Sequence, residues 1–351
     1  MSRRRRLWWG GWALAALLAA ALWFAVRWRG EGGFDFRELL AVWRSADPLW
    51  LAASVGIMLL SYYGRALRWA VLIEPVQPHP SLWGLFKATA IGYTAIVLLG
   101  RPGELVRPYL IAAREKVTFS SQLAAWFMER LYDILFVLLL FGFALAIAAG
   151  GVERRASPLL DWALRAGGWA AALTGVLSLA VLFGLHRWSH DLNSRLGPVL
   201  SLLGERARER AIRLIHSLTE GFGAARSGGA IGRLLGWSLV EWIMVTAGYA
   251  AVFRAFPETL AFGLGDVLIF MGFVAFGSVI QIPGIGGGMQ VAATVVLVEL
   301  FGLRLEESAG IALAIWLTAF VGIVPFGLLL ALHDGVNFLR MTRLEEEAST
   351  P

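Results

Sequence analysis

The chain has 351 residues, of which 58% are hydrophobic and 16% are charged. Soluble domains have about 25% charged residues, so this composition excludes an ordinary soluble protein and indicates a polytopic integral membrane protein. The formal net charge is +6, but the basic residues flank apolar runs, where they set membrane topology and favour anionic lipid over nucleic acid. The absence of Cys excludes disulfides and thiolate chemistry.

Six apolar segments are long enough to cross a bilayer core, which takes about 20 helical residues. They are 7–26, 49–73, 119–149, 168–185, 234–253 and 308–332. The first follows four consecutive Arg and is longer than the apolar core of a usual signal peptide, so we interpret it as an uncleaved span. The sequence therefore predicts an all-α fold, a polytopic transmembrane helix bundle forming one domain over residues 1–351.

Two further apolar stretches, 82–110 and 266–301, are interrupted by Pro and Gly. Each arm of the second stretch has too few residues to cross a core of about 30 Å at about 1.5 Å per residue. Pro removes a backbone donor and Gly lets the chain reverse, so both stretches are predicted to form re-entrant hairpins. The predicted break residues are Pro102, Gly103, Pro283, Gly284, Gly286 and Gly287. If both stretches crossed fully instead, the chain would cross eight times.

Arg residues set the predicted orientation. The segment 187–233 contains eight Arg against four acidic residues, so it is predicted to be cytoplasmic, as are both termini. The order of span, broken hairpin and span over residues 49–149 recurs over 234–332. With hairpins entering from opposite sides, these repeats have inverted topology, an architecture typical of secondary transporters. The span 168–185 and the segment 187–233 link them.

Charged residues cluster at membrane depth in the first predicted repeat. They are Arg65, Arg68, Arg101, Glu104, Arg107, Glu129, Arg130 and Asp133. A charge at the bilayer centre costs about 2.5–3.5 kcal/mol, so these groups need partners or a wet cavity. Glu129 or Asp133 could pair with Arg65 or Arg68 for structure alone, or the two Arg could snorkel to the interface. We favour a functional polar site for the cluster as a whole, because intramembrane charges are usually functional.

The cluster has five Arg and three acidic residues, and guanidinium groups suit phosphate oxygens. We therefore expect a site for an anionic lipid head group. Arg101 and Arg107, with Arg65, are predicted to hold the phosphate. Glu129 and Asp133 are predicted to hold these side chains when the site is empty.

Three residues of the second repeat extend the predicted site. Glu241 lies inside a span, where it either pairs with an Arg of the other repeat or carries a coupling proton. Gln281 and Gln290 flank the second break, where they either bind the head group or satisfy the broken backbone. The five His lack metal-ligand spacing, and no Walker motif or nucleophile elbow occurs. We expect no metal, no cofactor and no enzymatic activity.

The segments SYYGRALRW, GRPGELVRPYL, WFMERLYDILF and QIPGIGGGMQ together resemble the transmembrane region of lysylphosphatidylglycerol synthases. That region defines a broader family of flippase-like membrane proteins, and the resemblance covers about 49–332. Family members often have an acidic residue where this chain has Gln290. The matching motif positions are Arg101, Glu104, Arg107, Glu129, Arg130 and Asp133.

The resemblance implies lipid translocation, or an accessory role in lipid modification. Bifunctional synthases carry a following aminoacyl-transferase domain that this chain lacks, so we expect no lysyl transfer by this chain alone. We expect a plasma (inner) membrane flippase that moves an anionic phospholipid or polyprenyl-phosphate lipid by alternating access. One alternative is an intramembrane enzyme of glycolipid synthesis, with Glu129 and Asp133 as acid and base. The other is an accessory partner of a separate lipid-modifying enzyme.

Overall fold

The computed structural model describes residues 34–149, 173–175, 177–178, 228–278, 281–282 and 286–335. The predicted span 7–26 lies outside these residues, as do most of 168–185 and 187–233 and the break residues Pro283 and Gly284. The described part is predominantly helical. This confirms the predicted all-α membrane bundle, whereas the number of full spans stays a prediction.

The helices are numbered here in chain order. They are α1 (Phe36–Ser45), α2 (Pro48–Ile73), α3 (Leu82–Leu99), α4 (Val106–Glu115), α5 (Phe119–Ala149), α6 (Gly228–Ala255), α7 (Leu264–Gly277), α8 (Gly288–Glu299), α9 (Leu305–Ala319) and α10 (Val324–His333). Single 3₁₀ turns occur at Arg101–Leu105, Pro257–Thr259 and Val321–Ile323, and two short strands are β1 (Gln281–Ile282) and β2 (Gly286–Gly287). Within the described residues, three segments are long and apolar enough to cross a membrane: Leu82–Leu99, Gly228–Ala255 and Leu305–His333.

The first hairpin consists of α3, the turn Arg101–Leu105 and α4. Helix α3 ends at Gly100, whose φ of 72° is accessible to glycine at little cost. Gly103 packs closely against the last turns of α3. A Cβ added at this position would lie only 2.5 Å from the backbone nitrogen of Ile96. The two arms pack against each other, so the chain has the helix–break–helix shape that the Pro and Gly residues predict.

The second hairpin consists of α7, the strand pair β1–β2 and α8. The strands are antiparallel and pair Gln281 with Gly287 and Ile282 with Gly286. The side-chain oxygen of Gln290 accepts a hydrogen bond from the Gly287 nitrogen at 2.9 Å, and this bond satisfies a free donor where α8 begins. The arms α7 and α8 contact each other. Both hairpins therefore have the predicted backbone shape, and their re-entrant placement in a bilayer stays a prediction.

The last predicted span, 308–332, is not continuous. A 3₁₀ turn at Val321–Ile323 separates α9 from α10, and Pro325 lies in the first turn of α10. Because Pro has no backbone N–H, it cannot complete the hydrogen-bond ladder of a single helix there. The carbonyl of Ala319, at the end of α9, accepts a hydrogen bond of 2.8 Å from the Tyr62 hydroxyl.

Helices α2 and α6 pack along each other in opposite directions. Met58 of α2 lies against Gly248, whereas Arg68, further along α2, contacts Ser238. Helix α5 packs on α7, and α10 packs on α3. Gly272 of α7 faces the ring of Phe141 at the first crossing, and small residues allow such close helix approach in membranes.

The second crossing is equally close, since Gly327 of α10 faces the backbone of Ala90. Each repeat thus places its last helix on the first hairpin arm of the other repeat. These reciprocal contacts are what a repeat of residues 49–149 and 234–332 requires, although the repeat and its inverted topology stay predictions.

The apolar core forms two main clusters, one around each hairpin. One centres on Phe253, Phe256 and Phe270 near the second hairpin. The other centres on Trp69 and Ile111 near the first. Helix α2 contributes Met58 to one cluster and Trp69 to the other. The stretch of α2 between these two residues contains Arg65 and Arg68, so both charges lie at the junction of the clusters.

Candidate functional site

Arg68 is the centre of a buried ion-pair network. Its side chain is fully buried, and its terminal nitrogens lie 2.8 Å from Glu129, 2.7 Å from Asp133 and 3.1 Å from Glu241. The Ser238 hydroxyl adds a hydrogen bond at 3.2 Å. Three carboxylates from α5 and α6 thus surround one guanidinium of α2. Arg68 therefore pairs inside the protein and does not snorkel to the interface.

Glu129 is the most heavily bonded acid of the network. It receives hydrogen bonds from both terminal nitrogens of Arg107 on α4, and it also contacts Arg130 at 3.2 Å. The Arg107 guanidinium lies over the ring of Trp69, 4.1 Å from its centroid, in a favourable cation–π arrangement. These contacts join α2, α4 and α5.

Arg65, one helical turn before Arg68, has a different environment. It pairs with Glu241 at 2.9 Å and donates a hydrogen bond to the Tyr93 hydroxyl. Its guanidinium carbon lies 4.9 Å from the Tyr93 ring centroid and 5.8 Å from that of Tyr62. Its side chain is 17% exposed, whereas that of Arg68 is completely buried. Of the two alternatives for Glu241, the structure therefore shows pairing with Arg of the other repeat.

Among the described residues, the network carries one more positive than negative charge. Four guanidinium groups (Arg65, Arg68, Arg107 and Arg130) share three carboxylates (Glu129, Asp133 and Glu241). Burying charged groups is costly even when they are paired. An anion that binds beside the network would neutralise the remaining charge.

A cavity of about 140 Å³ lies next to Arg65. Its polar and aromatic lining residues are Ser61, Tyr62, Arg65, Tyr93, Trp242, Tyr249, Ser278 and Phe320, and its aliphatic ones are Met58, Val245, Met271, Val274, Ala275, Met289 and Ala319. These residues come from α2, α3, α6, both arms of the second hairpin and the break between α9 and α10. The cavity therefore lies between the two predicted repeats, with Arg65 on its wall.

Arg101 joins the breaks of the two hairpins. It pairs with Glu104 at 2.5 Å, and it donates a hydrogen bond of 3.2 Å to the Ser278 carbonyl, next to the cavity. Its side chain is 47% exposed. Arg107 was predicted to hold a phosphate, but it is 4% exposed and absent from the cavity wall. Of the three Arg predicted to hold the phosphate, only Arg65 lines the cavity in the described part of the chain, because Arg107 binds Glu129 and Arg101 binds Glu104 and Ser278.

Gln281 and Gln290 flank the second break. The side chain of Gln281 lies outside the described part of the chain. Gln290 satisfies the backbone at the second break through Gly287, which was one of its two predicted roles. Among the described residues, no group of three or more metal-ligating side chains could hold an ion.

Four aromatic residues that line the cavity were not predicted from the sequence: Tyr62, Tyr93, Trp242 and Tyr249. Tyr and Trp are enriched at membrane interfaces, near the ends of spans. Tyr93 and Trp242 instead lie near the middle of α3 and α6, and this unusual position was the signal that could have revealed them.

The fold and the site define an integral membrane protein with a buried polar centre between its helices. The chain belongs to the family of the lysylphosphatidylglycerol synthase transmembrane region, whose model matches residues 8–327. This confirms the resemblance seen in the sequence.

A curated relative is Glycosyltransferase AglD of Haloferax volcanii, which is 24% identical over 294 residues, or 76% of this chain and 46% of the relative. The chain thus spans about half the length of that protein. No solved structure matches the chain.

Proposed function

We propose that the protein binds the phosphate of an anionic membrane lipid in the cavity beside Arg65 and moves the lipid between leaflets. The observation that carries this proposal is a guanidinium on the wall of a cavity between helices, beside a network whose described residues carry one more positive than negative charge. In a site of low dielectric constant, such a charge attracts an anion more strongly than it would in water.

The position of the cavity supports movement as well as binding. Its wall includes Tyr93 of the first hairpin and Ser278 at the end of α7 in the second. Arg101 ties the two breaks together through the Ser278 carbonyl. In transporters with inverted repeats, broken helices meet at the substrate site near the bilayer midplane. We therefore assign Arg101 to the junction between the hairpins and Arg65 to the phosphate.

Glu129 and Asp133 serve, in this proposal, to hold the guanidinium groups rather than to transfer protons. Glu129 contacts Arg68, Arg107 and Arg130, and a carboxylate with several cationic partners is a poor proton donor. This favours a non-enzymatic role for the chain.

Replacing Arg65 with Gln tests the proposal. Protein in liposomes with fluorescent phosphatidylglycerol is mixed with an impermeant quencher, and loss of inner-leaflet fluorescence reports lipid movement. Hydrogen bonds to charged groups contribute about 1.5–3 kcal/mol, so we expect Arg65→Gln to slow movement roughly tenfold or more. Glu241 keeps Arg68 as a partner at 3.1 Å, so the variant should still fold.

The matched control is Arg233→Gln, since Arg233 forms an exposed ion pair with Glu74 at 2.5 Å, away from the cavity. Movement at the native rate in folded Arg65→Gln protein would refute the proposal. Equal slowing in both variants would also count against a specific role for Arg65.

The proposed location is the plasma (inner) membrane with both termini in the cytoplasm. Because the chain has no Cys, single cysteines can report each side without background labelling. We expect an impermeant maleimide to reach Ala261→Cys from outside intact cells and His79→Cys only after lysis. Both positions are exposed. Labelling of both from outside would contradict this topology.

The similarity to AglD favours one second candidate, an accessory membrane subunit of a lipid-modifying pathway. The relative is named a glycosyltransferase, and the match covers 46% of it. In that case, this chain would present a lipid to a separate enzyme. Deleting the gene for this chain would then lower the yield of modified lipid in cells, while the purified protein would move no lipid between leaflets.

A further inference from the structure

The cavity wall is chemically one-sided. Among the described residues that line it, Arg65 is the only charged one, and no carboxylate is present. The nearest acid of the network, Glu241, already pairs with Arg65 and with Arg68. A ligand in the cavity therefore meets one cation, several neutral polar groups and an apolar surface that includes Met58, Met271 and Met289.

The neutral polar groups have unused hydrogen-bonding capacity. Within the described part of the chain, the indole nitrogen of Trp242 is buried without an acceptor, and the Tyr249 hydroxyl belongs to a residue that lines the same cavity. The Tyr93 hydroxyl accepts a bond from Arg65, so its own proton is available to a ligand. Buried donors without acceptors are costly, and hydroxyl oxygens of a bound ligand would satisfy them.

The same wall disfavours an ammonium group. Aromatic rings can bind quaternary and primary ammonium through their faces, but the Arg65 guanidinium already lies over the rings of Tyr62 and Tyr93. A second cation close to Arg65 would be repelled, and no free carboxylate on the described wall would compensate.

We propose that the cavity selects a lipid head group that combines a phosphate with small neutral hydroxyl groups, and that it rejects head groups with an ammonium. Arg65 binds the phosphate, while Tyr249, Tyr93 and Trp242 bind the hydroxyls. This inference rests on the proposed function and names its substrate class. The cavity has a volume of about 140 Å³, which suits a small head group.

Binding of three short-chain lipids to the purified full-length protein in detergent tests the inference by titration calorimetry. Phosphatidylglycerol carries one negative charge and two hydroxyls, and phosphatidylmethanol carries the same charge without hydroxyls. Lysylphosphatidylglycerol adds ammonium groups. One hydrogen bond is worth roughly two- to tenfold in affinity. We expect phosphatidylglycerol to bind about fivefold or more tightly than phosphatidylmethanol, and lysylphosphatidylglycerol to bind at least tenfold more weakly than phosphatidylglycerol.

Two variants test whether residues of the cavity wall cause the preference for phosphatidylglycerol over phosphatidylmethanol. Tyr249→Phe and Trp242→Phe remove one donor each. They should therefore weaken the binding of phosphatidylglycerol severalfold and leave the binding of phosphatidylmethanol unchanged. Tyr63→Phe is the matched control, because Tyr63 is exposed and lies outside the cavity lining. A preference that survives in both cavity variants would overturn the assignment to these groups.

The outcomes separate this inference from the proposed function. If phosphatidylglycerol and phosphatidylmethanol bind equally and both lose affinity in Arg65→Gln, the hydroxyl selection is wrong while the anion site stands. Tight binding of lysylphosphatidylglycerol would overturn the exclusion of ammonium. If no lipid binds in an Arg65-dependent way, both the inference and the proposed function fail.

Discussion

The two hairpins have the same helix–break–helix backbone but are held by different interactions. The first is fixed by charges at several points: Arg107 binds Glu129, Arg65 binds Tyr93, and Lys87 and Arg114 both bind Asp334 at the end of α10. The second, in its described residues, packs mainly through apolar side chains. Its break is held by the pairing of β1 with β2 and the Gln290 cap.

This difference suggests that one hairpin is rigid and the other can move. A hairpin fixed by buried ion pairs forms a rigid wall, because separating a pair leaves an uncompensated charge in the protein interior. A hairpin held by apolar contacts and a few backbone hydrogen bonds can shift with less penalty. We therefore expect the second hairpin to move relative to the first during lipid transport, with the Arg101–Ser278 bond as a contact between them.

The largest expected effect comes from Glu129→Gln. The change leaves the three guanidinium groups of Arg68, Arg107 and Arg130 short of one negative charge. Removing one partner of a buried pair costs about 3–5 kcal/mol, so the melting temperature in detergent should fall sharply.

Glu74→Gln is its control, since Glu74 forms an exposed pair with Arg233 and exposed pairs contribute at most about 1 kcal/mol. Equal melting temperatures for the two variants would show that the network does not hold the first hairpin.

A smaller effect is expected from Gly103→Ala in the first break. The new methyl group would lie 2.5 Å from the Ile96 nitrogen, and overpacking of this kind costs about 1–3 kcal/mol. The matched control is Gly56→Ala in α2, where nothing lies within 4 Å and Ala is favoured over Gly by about 0.5–1 kcal/mol. Thermal unfolding should shift in opposite directions for the two. A shift in the same direction would indicate that the first break is loosely packed.

The smallest effect is expected from Gln290→Ala in the second hairpin. It removes the acceptor for the Gly287 nitrogen, and loss of a helix cap costs about 0.5–2 kcal/mol. Amide hydrogen exchange should become faster at the start of α8 and stay unchanged at Arg101–Leu105. Faster exchange in both breaks would show that the hairpins are coupled more tightly than their contacts suggest.

Much of the fold could be predicted from hydropathy and helix breakers. The prediction 49–73 corresponds to α2, and 119–149 has the bounds of α5. Helix α1 was missed because it is amphipathic rather than apolar, with Asp35 as its N-cap. The break between α9 and α10 was also missed, although Gly322 and Pro325 were its sequence signal.

The site was less predictable than the fold. The clustering of charges was visible, because charged residues in apolar segments are rare. The different roles of Arg65 and Arg68 were not, since the two lie on one helical face and three residues apart. Their environments differ because of tertiary packing: α5 and α6 enclose Arg68, whereas Arg65 lines the cavity.

The anchoring of Arg65 has an electrical consequence. Its bonds to Glu241 and Tyr93 fix the guanidinium to the α2–α6 pair, so it would not travel with a lipid. The proposed substrate would therefore carry its negative charge across the bilayer alone. Moving one elementary charge through 100 mV involves about 2.3 kcal/mol. A potential that is negative inside would thus drive net outward flow, and clamping the voltage across proteoliposomes should set the direction of the current.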